Sequence, residues 1–259
     1  MTDEQKFEIT ELVNDSLDSA EGVWREVGAE VVRAKAALAN EALEAMSNRS
    51  VEPVPTQIPG HEFIEDGKPL VDEFIAFVLD MRDSSKHLNI AIANTGATEL
   101  KRVYYETAAV LPACSRIIKN NKGGVTEYLG DGLLAFFRAE KDKRDKACYH
   151  AHAAAVDCID AVKGIVNPIL KERYQLPSIH IGVGMALSKA ILTLTGETNF
   201  LKPTAFGKCV FYATKLSKGN NEVFADEALK LIWPTSDTGT LRFGLRNMGN
   251  VTGYLMYFV

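Results

Sequence analysis

The sequence predicts an α+β fold: a ferredoxin-like sheet with βαββαβ element order, preceded by an N-terminal helical arm. Three observations carry this. Residues 74–79 (Phe-Ile-Ala-Phe-Val-Leu) form an unbroken apolar run, the mark of a strand buried on both faces. Residues 125–129 and 133–137 are apolar runs flanking Gly130-Asp131-Gly132, a tight hairpin signal. Helical periodicity over 99–120 and 141–174 places one helix before that hairpin and one after it, and a further strand follows.

In chain order, residues 1–48 read as helix. Val13, Leu17, Ala20, Trp24, Val27, Val31, Ala34 and Leu38 recur in steps of four and three, a single apolar stripe. Gly22 and Gly28 weaken it, which favours an arm packed on the rest of the chain, or reaching a second subunit, over a free coiled coil. Pro53, Pro55 and Pro59 end that helix, so the arm and its Pro-rich linker occupy 1–60 and the main domain 61–259. The first strand runs to Asp80. The helix over 99–120 turns Leu100, Val103, Tyr104, Ala108, Leu111, Cys114 and Ile117 to one side, and Gly123-Gly124 stops it. The helix over 141–174 buries Ala147, Ala151, Ala154, Cys158, Ala161, Val162 and Ile165, with Pro168 kinking or ending it. Two strands, 178–187 and 190–194, are expected to meet at a short turn. A helix over 204–218 follows, and 241–245 with 254–259 closes the chain as a hairpin. The expected layering puts the helices on one face of a mainly antiparallel sheet.

The composition excludes several classes. A net charge of −5 argues against a general nucleic-acid binder. Cys114, Cys148, Cys158 and Cys209 form no CxxC pair and read as reduced, buried thiols. With no leader-like basic and apolar segment and no apolar run near the roughly 20 residues of a membrane span, a cytoplasmic protein is expected. His150 and His152, two apart on a helix, point to different faces; His180 lies within a strand; no Walker A or dinucleotide fingerprint occurs.

The carboxylates are the chemistry-bearing feature. The buried strand delivers Asp80 to its C-terminal end, where Met81, Arg82, Asp83, Ser84 and Ser85 follow at once, and the hairpin places Asp131 at its turn. Either aspartate alone is ordinary turn chemistry. If the two strands are neighbours the carboxylates converge, and two carboxylates fit a pair of Mg²⁺ or Mn²⁺ ions.

These two motifs, Leu-Asp-Met-Arg-Asp-Ser-Ser and Tyr-Leu-Gly-Asp-Gly-Leu-Leu-Ala-Phe-Phe, resemble the metal-binding core of the class III nucleotidyl cyclases. The resemblance covers roughly residues 70–220. It extends to Ile179-His180-Ile181-Gly182-Val183-Gly184, and to Gly207, Val210, Ala213 and Leu216, which match the Gly-x-x-Val-Asn-x-Ala-x-Arg-Leu helix of that family. It implies a homodimer with a nucleoside triphosphate between subunits, and two divalent cations on Asp80, Asp131 and the Met81 carbonyl. Lys215 stands where the family has a transition-state Arg, and Phe211 where it has an Asn. At the base-reading positions Glu127 (or Thr126) and Thr204 replace the purine determinants. That loss, with the Asp80-x-Arg82-x-Ser84-Ser85 form, is similar to the pyrimidine (uridylate) cyclases of the bacterial Pycsar antiphage systems. Those produce a cyclic nucleotide that activates a separate effector. The resemblance counts Arg82, Glu127 and Thr204 as substrate-binding, with Phe77 and Phe206 as bulky side chains excluding a purine. UTP is the expected substrate; CTP, a purine triphosphate, and an inactive nucleotide-binding domain are the alternatives.

Overall fold

The computed structural model describes residues 1–33, 53–88, 98–197, 200–235, 238–248 and 251–259. Helix α1 spans Asp3–Arg33; the expected continuation to residue 48, with Ala34 and Leu38 of the stripe, lies outside the described residues. Ile9, Val13, Leu17 and Ala20 of α1 are buried in the main core, against α3 (Glu99–Asn120). Arg173 and Tyr174 tether the helix further, each bonding the Glu21 carboxylate, at 2.8 and 2.7 Å. The Pro-containing segment that follows carries β1 (Val54–Pro55) and β2 (Phe63–Ile64), and buries Ile58 and Ile64.

The main sheet is built on β3 (Leu70–Met81), whose neighbours are β5 (Gly132–Arg138) and β6 (Ile181–Thr195), both antiparallel to it. With β4 (Gly124–Tyr128), β8 (Val223–Ala225), β9 (Leu241–Met248) and β10 (Val251–Phe258) the order is β4-β5-β3-β6-β8-β10-β9, and β7 (Lys202–Gly207) pairs with the distal half of β6. The β4-β5-β3-β6 block is the ferredoxin-like arrangement expected. Only the β6–β8 pairing is parallel among those described.

Alternation along β3 explains its unbroken apolarity. Ile75, Phe77, Leu79 and Met81 enter the main core under α1, α3 and α4 (Arg144–Ala161). Phe74, Ala76 and Val78 enter a second core with Ile58, Ile64, and Cys209 and Ala213 of α6 (Lys208–Leu216). Helices therefore cover both faces, not one. Gly182 and Gly184 allow α6 to lie on β6: a Cβ on either would stand 2.2 Å from the Ser217 carbonyl oxygen or 2.1 Å from that of Ala213.

Four further expectations change. The strands 178–187 and 190–194 are one strand, because Ser188 and Lys189 pair with Phe74 and Glu73 of the long β3 instead of turning. The helix expected from residue 204 begins only at Lys208; residues before it pair with the free edge of β6 as β7. On α3 the buried side carries Arg102, Tyr105, Glu106, Ala109, Val110 and Ala113, so charge at two core positions disguises the face. Finally, Pro168 neither ends nor breaks its helix: a widened π turn, Val162–Val166, precedes it and α5 (Asn167–Tyr174) continues.

Candidate active site

Asp80 sits at the end of β3 directly opposite Gly132, so the hairpin that carries Asp131 presses on the same strand end. A Cβ on Gly132 would lie 2.4 Å from the Leu79 carbonyl oxygen, so only glycine permits this approach. Gly130, at φ 79°, supplies the left-handed residue of the turn. Asp80 follows Phe74, Ala76 and Val78 in the alternation and therefore projects to the α6 side of the sheet.

Arg82 comes back over this strand end. Its backbone N–H donates to the His180 carbonyl at 2.8 Å, and its guanidinium forms an ion pair with Asp80. Its Nε is buried without a hydrogen-bond partner among the described residues. Burial pushes the guanidinium below the usual arginine value, and the negative fields of Asp131 and Asp83 oppose that shift. Asp83 turns the chain in the left-handed region, φ 58°, and starts the short helix α2 (Ser84–His87). Ser84 Oγ donates to the Asp131 carboxylate. A buried carboxylate anchors the whole turn from below: Glu106 accepts from Arg102 Nε at 2.8 Å and bonds His87 Nδ1 at 2.8 Å. Glu106 has 0% exposure, and these two partners satisfy its buried carboxyl oxygens.

The two carboxylates are hard oxygen donors, and a cation, Arg82, already lies against them. The described residues contain no group of three or more His, Cys, Asp or Glu placed to hold a metal. Two carboxylates suit Mg²⁺ or Mn²⁺, whose remaining positions are filled by water and substrate phosphates. The residues thus fit a divalent cation that shares its shell with a triphosphate.

The other expected residues are distributed as follows. Lys215 is half-buried on the last turn of α6, the stretch that covers Gly182, the residue paired with Asp80. Phe211, on the same helix, is 66% exposed. The Met81 side chain is core, so only its backbone is available to a ligand. Glu127 and Thr204 line one open cleft of about 870 Å³ with Thr126, Tyr128, Gln57 and Lys202. Phe206 is exposed on β7, two residues beyond Thr204 and on the same face of the strand. Phe77 is a correction: fully buried against Phe137 on the α3–α4 side of β3, it cannot reach a nucleotide on the other face. Ser84, Glu106, His87 and Lys202 are site or supporting residues that the sequence reading missed. A charged i,i+4 pair inside the otherwise apolar stretch of α3 was the one available signal for Glu106.

No family model matches the chain, and no curated protein does either. Solved structures do. The adenylyl cyclase CyaB from P. aeruginosa superposes with a TM-score of 0.60 at 16% identity, over 74% of this chain and 97% of its own. The guanylyl cyclase Cya2 gives 0.58 at 15% identity, over 73% and 92%. The dimeric guanylyl cyclase domain of the RhoGC fusion protein from Blastocladiella emersonii gives 0.55 at 13%, over 74% and 97%. The chain therefore has the fold of a class III cyclase catalytic domain.

Proposed function

We propose that this protein is a metal-dependent nucleotidyl cyclase that converts UTP to 3′,5′-cyclic UMP and pyrophosphate. The observation that carries the reading is the meeting of Asp80 and Asp131 at one strand end on a cyclase-type sheet. Asp80, Asp131 and the Met81 carbonyl would hold two divalent cations, Mn²⁺ or Mg²⁺, which when bound supply charge neutralisation and lower the pKa of the attacking hydroxyl. In the reaction the ribose 3′-oxygen bonds to the α-phosphorus, the bond to pyrophosphate breaks, and the hydroxyl proton leaves to solvent. Lys215 would steady charge on the α-phosphate as a point charge, without the bidentate fork of arginine. Arg82, once released from Asp80, would take the phosphates instead.

Base choice rests on the Glu127–Thr204 cleft. A carboxylate at Glu127 accepts only, and so suits the N3–H of uracil, the amino group of cytosine or the N1–H and 2-amino group of guanine, and not the bare ring nitrogen N1 of adenine. Lys202, in the same cleft, offers a donor for a pyrimidine carbonyl. Phe206 remains the bulky candidate for excluding a purine. The family's site lies between two subunits, and the exposed Phe211 on α6 is apolar surface suited to such an interface. The role in antiviral signalling, through a separate effector without stable binding, follows from the resemblance alone.

A second reading, a purine cyclase, draws support from the neighbours, whose names specify adenylyl or guanylyl cyclases. The test is incubation of the purified protein with each of the four NTPs and Mn²⁺, with products resolved by mass spectrometry. Cyclic UMP as the main product is expected. Cyclic CMP would overturn the choice of base, cyclic AMP or GMP would select the second reading, and no cyclic product at all would sink the cyclase reading.

A further inference from the structure

A cleft whose lining includes neither aspartate nor Arg82 opens between α4, α7 (Glu227–Leu231) with the segment after it, and the β9–β10 hairpin. We propose that it is a binding site for a planar aromatic ring carrying one negative charge. This inference does not depend on the cyclase reading.

Its walls are aromatic. Trp233 is the hub, with ring centroids of His152, Phe243 and Tyr149 at 5.6, 5.8 and 6.0 Å, all edge-to-face. Phe258 closes the far side, 5.6 Å from His152. The cavity measures about 450 Å³, within the roughly 300–1,000 Å³ of small-molecule sites. Edge-to-face walls leave flat surfaces between them, against which a further ring can stack or insert.

Two polar features select the ligand. His152 lines the cleft at only 9% exposure, its ring packed edge-to-face on Trp233 and Phe258. Burial lowers its pKa to about 4, so near neutral pH it presents one N–H and one bare nitrogen to the cavity. A ligand acceptor fits that N–H, and a ligand donor the bare nitrogen. At the mouth stand Arg242 and Lys230. The Arg242 guanidinium bonds the carbonyls of Gly239 and Leu241, at 2.7 and 3.0 Å, and the Lys230 ammonium lies 4.0 Å over the Tyr254 ring. Among the described residues neither pairs with a carboxylate, and no Asp or Glu lines the cavity. On a chain of net charge −5, two cations with no carboxylate partner among the described residues, beside an aromatic slot, make a locally positive wall. Aromatic carboxylates and cyclic nucleotides share the required chemistry.

The test is calorimetric titration of the full chain with 1-naphthoate, its neutral analogue 1-naphthamide, and cyclic UMP. Expected is one naphthoate site per chain, at least tenfold tighter than for the amide. Arg242→Gln and Lys230→Gln, both at the surface, should keep the wild-type melting temperature and lose that preference. Displacement of naphthoate by cyclic UMP would point to a cyclic nucleotide as the occupant; failure to displace it would assign the site to an aromatic carboxylate. Equal affinity for acid and amide, an undiminished preference in both variants, or no saturable binding at millimolar naphthoate would each overturn the proposal.

Discussion

Replacing Arg82 by Gln should increase the affinity of the nucleotide-free protein for Mn²⁺. The arginine is paired with Asp80 and lies in the field of Asp131, so an incoming cation must either displace it or share the carboxylates with it. Unit charges about 4 Å apart at an effective dielectric near 20 interact by about 4 kcal/mol. The Asp80 side chain is 38% exposed, so solvent screens the pair and brings its net worth down towards that of a surface ion pair, about 1 kcal/mol. Between these bounds, release of the arginine costs an incoming ion on the order of 1–2 kcal/mol, and the variant should bind Mn²⁺ about 5- to 30-fold more tightly. Electron paramagnetic resonance of free Mn²⁺ at physiological salt measures this without turnover, and Asp80→Asn in either background should abolish the difference. Turnover should move the other way, because the same arginine is expected on the triphosphate. If Arg82→Gln binds Mn²⁺ no better than the wild type, the guanidinium does not compete for the carboxylates and the reasoning fails.

Asp80→Asn and Asp131→Asn should each abolish cyclic nucleotide formation, and Asp80→Asn should also lower the melting temperature, since it leaves the largely buried Arg82 without its ion-pair partner; full activity in both would refute the metal site. Phe77→Ala should cost about 3–5 kcal/mol in denaturant unfolding and leave the order of NTP preference untouched, because Phe77 belongs to the core and not to the pocket. Asp226 is buried as the N-cap of α7, and burial raises its pKa to about 6 in the folded protein. The native state therefore holds that proton more tightly than the unfolded chain, so its contribution is complete below about pH 4 and is lost as pH rises through about 6. Asp226→Asn, which keeps an oxygen for the Leu229 and Leu187 N–H groups, should be more stable than wild type at pH 7 by about 1–3 kcal/mol. The two unfolding curves should converge near pH 4; a constant difference across that range would count against the assignment.

The meeting of Asp80 and the Asp131 turn at one strand end was legible because it rests on short-range grammar. A buried strand ending in Asp80 and a Gly-Asp-Gly hairpin are local signals, and strand pairing brought them together with no information beyond element order. The errors arose where one periodicity hides two faces. The run 74–79 is apolar on both sides, so nothing in it reveals that Phe77 faces α3 while Ala76 and Val78 face α6. Ser188 and Lys189 look like a turn, yet they continue a strand because β3 is long enough to pair with them. Glu106 looks solvent-facing until His87, from an element 19 residues earlier, is placed against it. Tertiary pairing decided each of these, and local propensity could not.

The cleft proposed to read the base includes Glu127, Lys202 and Thr204 in its lining, but none of Asp80, Arg82 or Asp131. On the proposed reading one chain therefore offers two half-sites: an acidic strand end for metals and phosphates, and a polar cleft for a base. A two-fold dimer would unite each acidic end with the cleft of the partner subunit, giving two equivalent composite sites. This makes a prediction that a single-chain site does not share. Asp80→Asn disables only the metal half, and Thr204→Trp, by filling the cleft, disables only the base half; each alone should be inactive. Mixed in equal amounts and allowed to exchange, about half of the dimers would be heterodimers, each with one intact site of two. Activity should then recover to about a quarter of the wild-type value. The readout is cyclic nucleotide formed before and after mixing at micromolar concentration, with sedimentation confirming exchange. Exchange without recovery would mean that a single chain supplies both halves of each site.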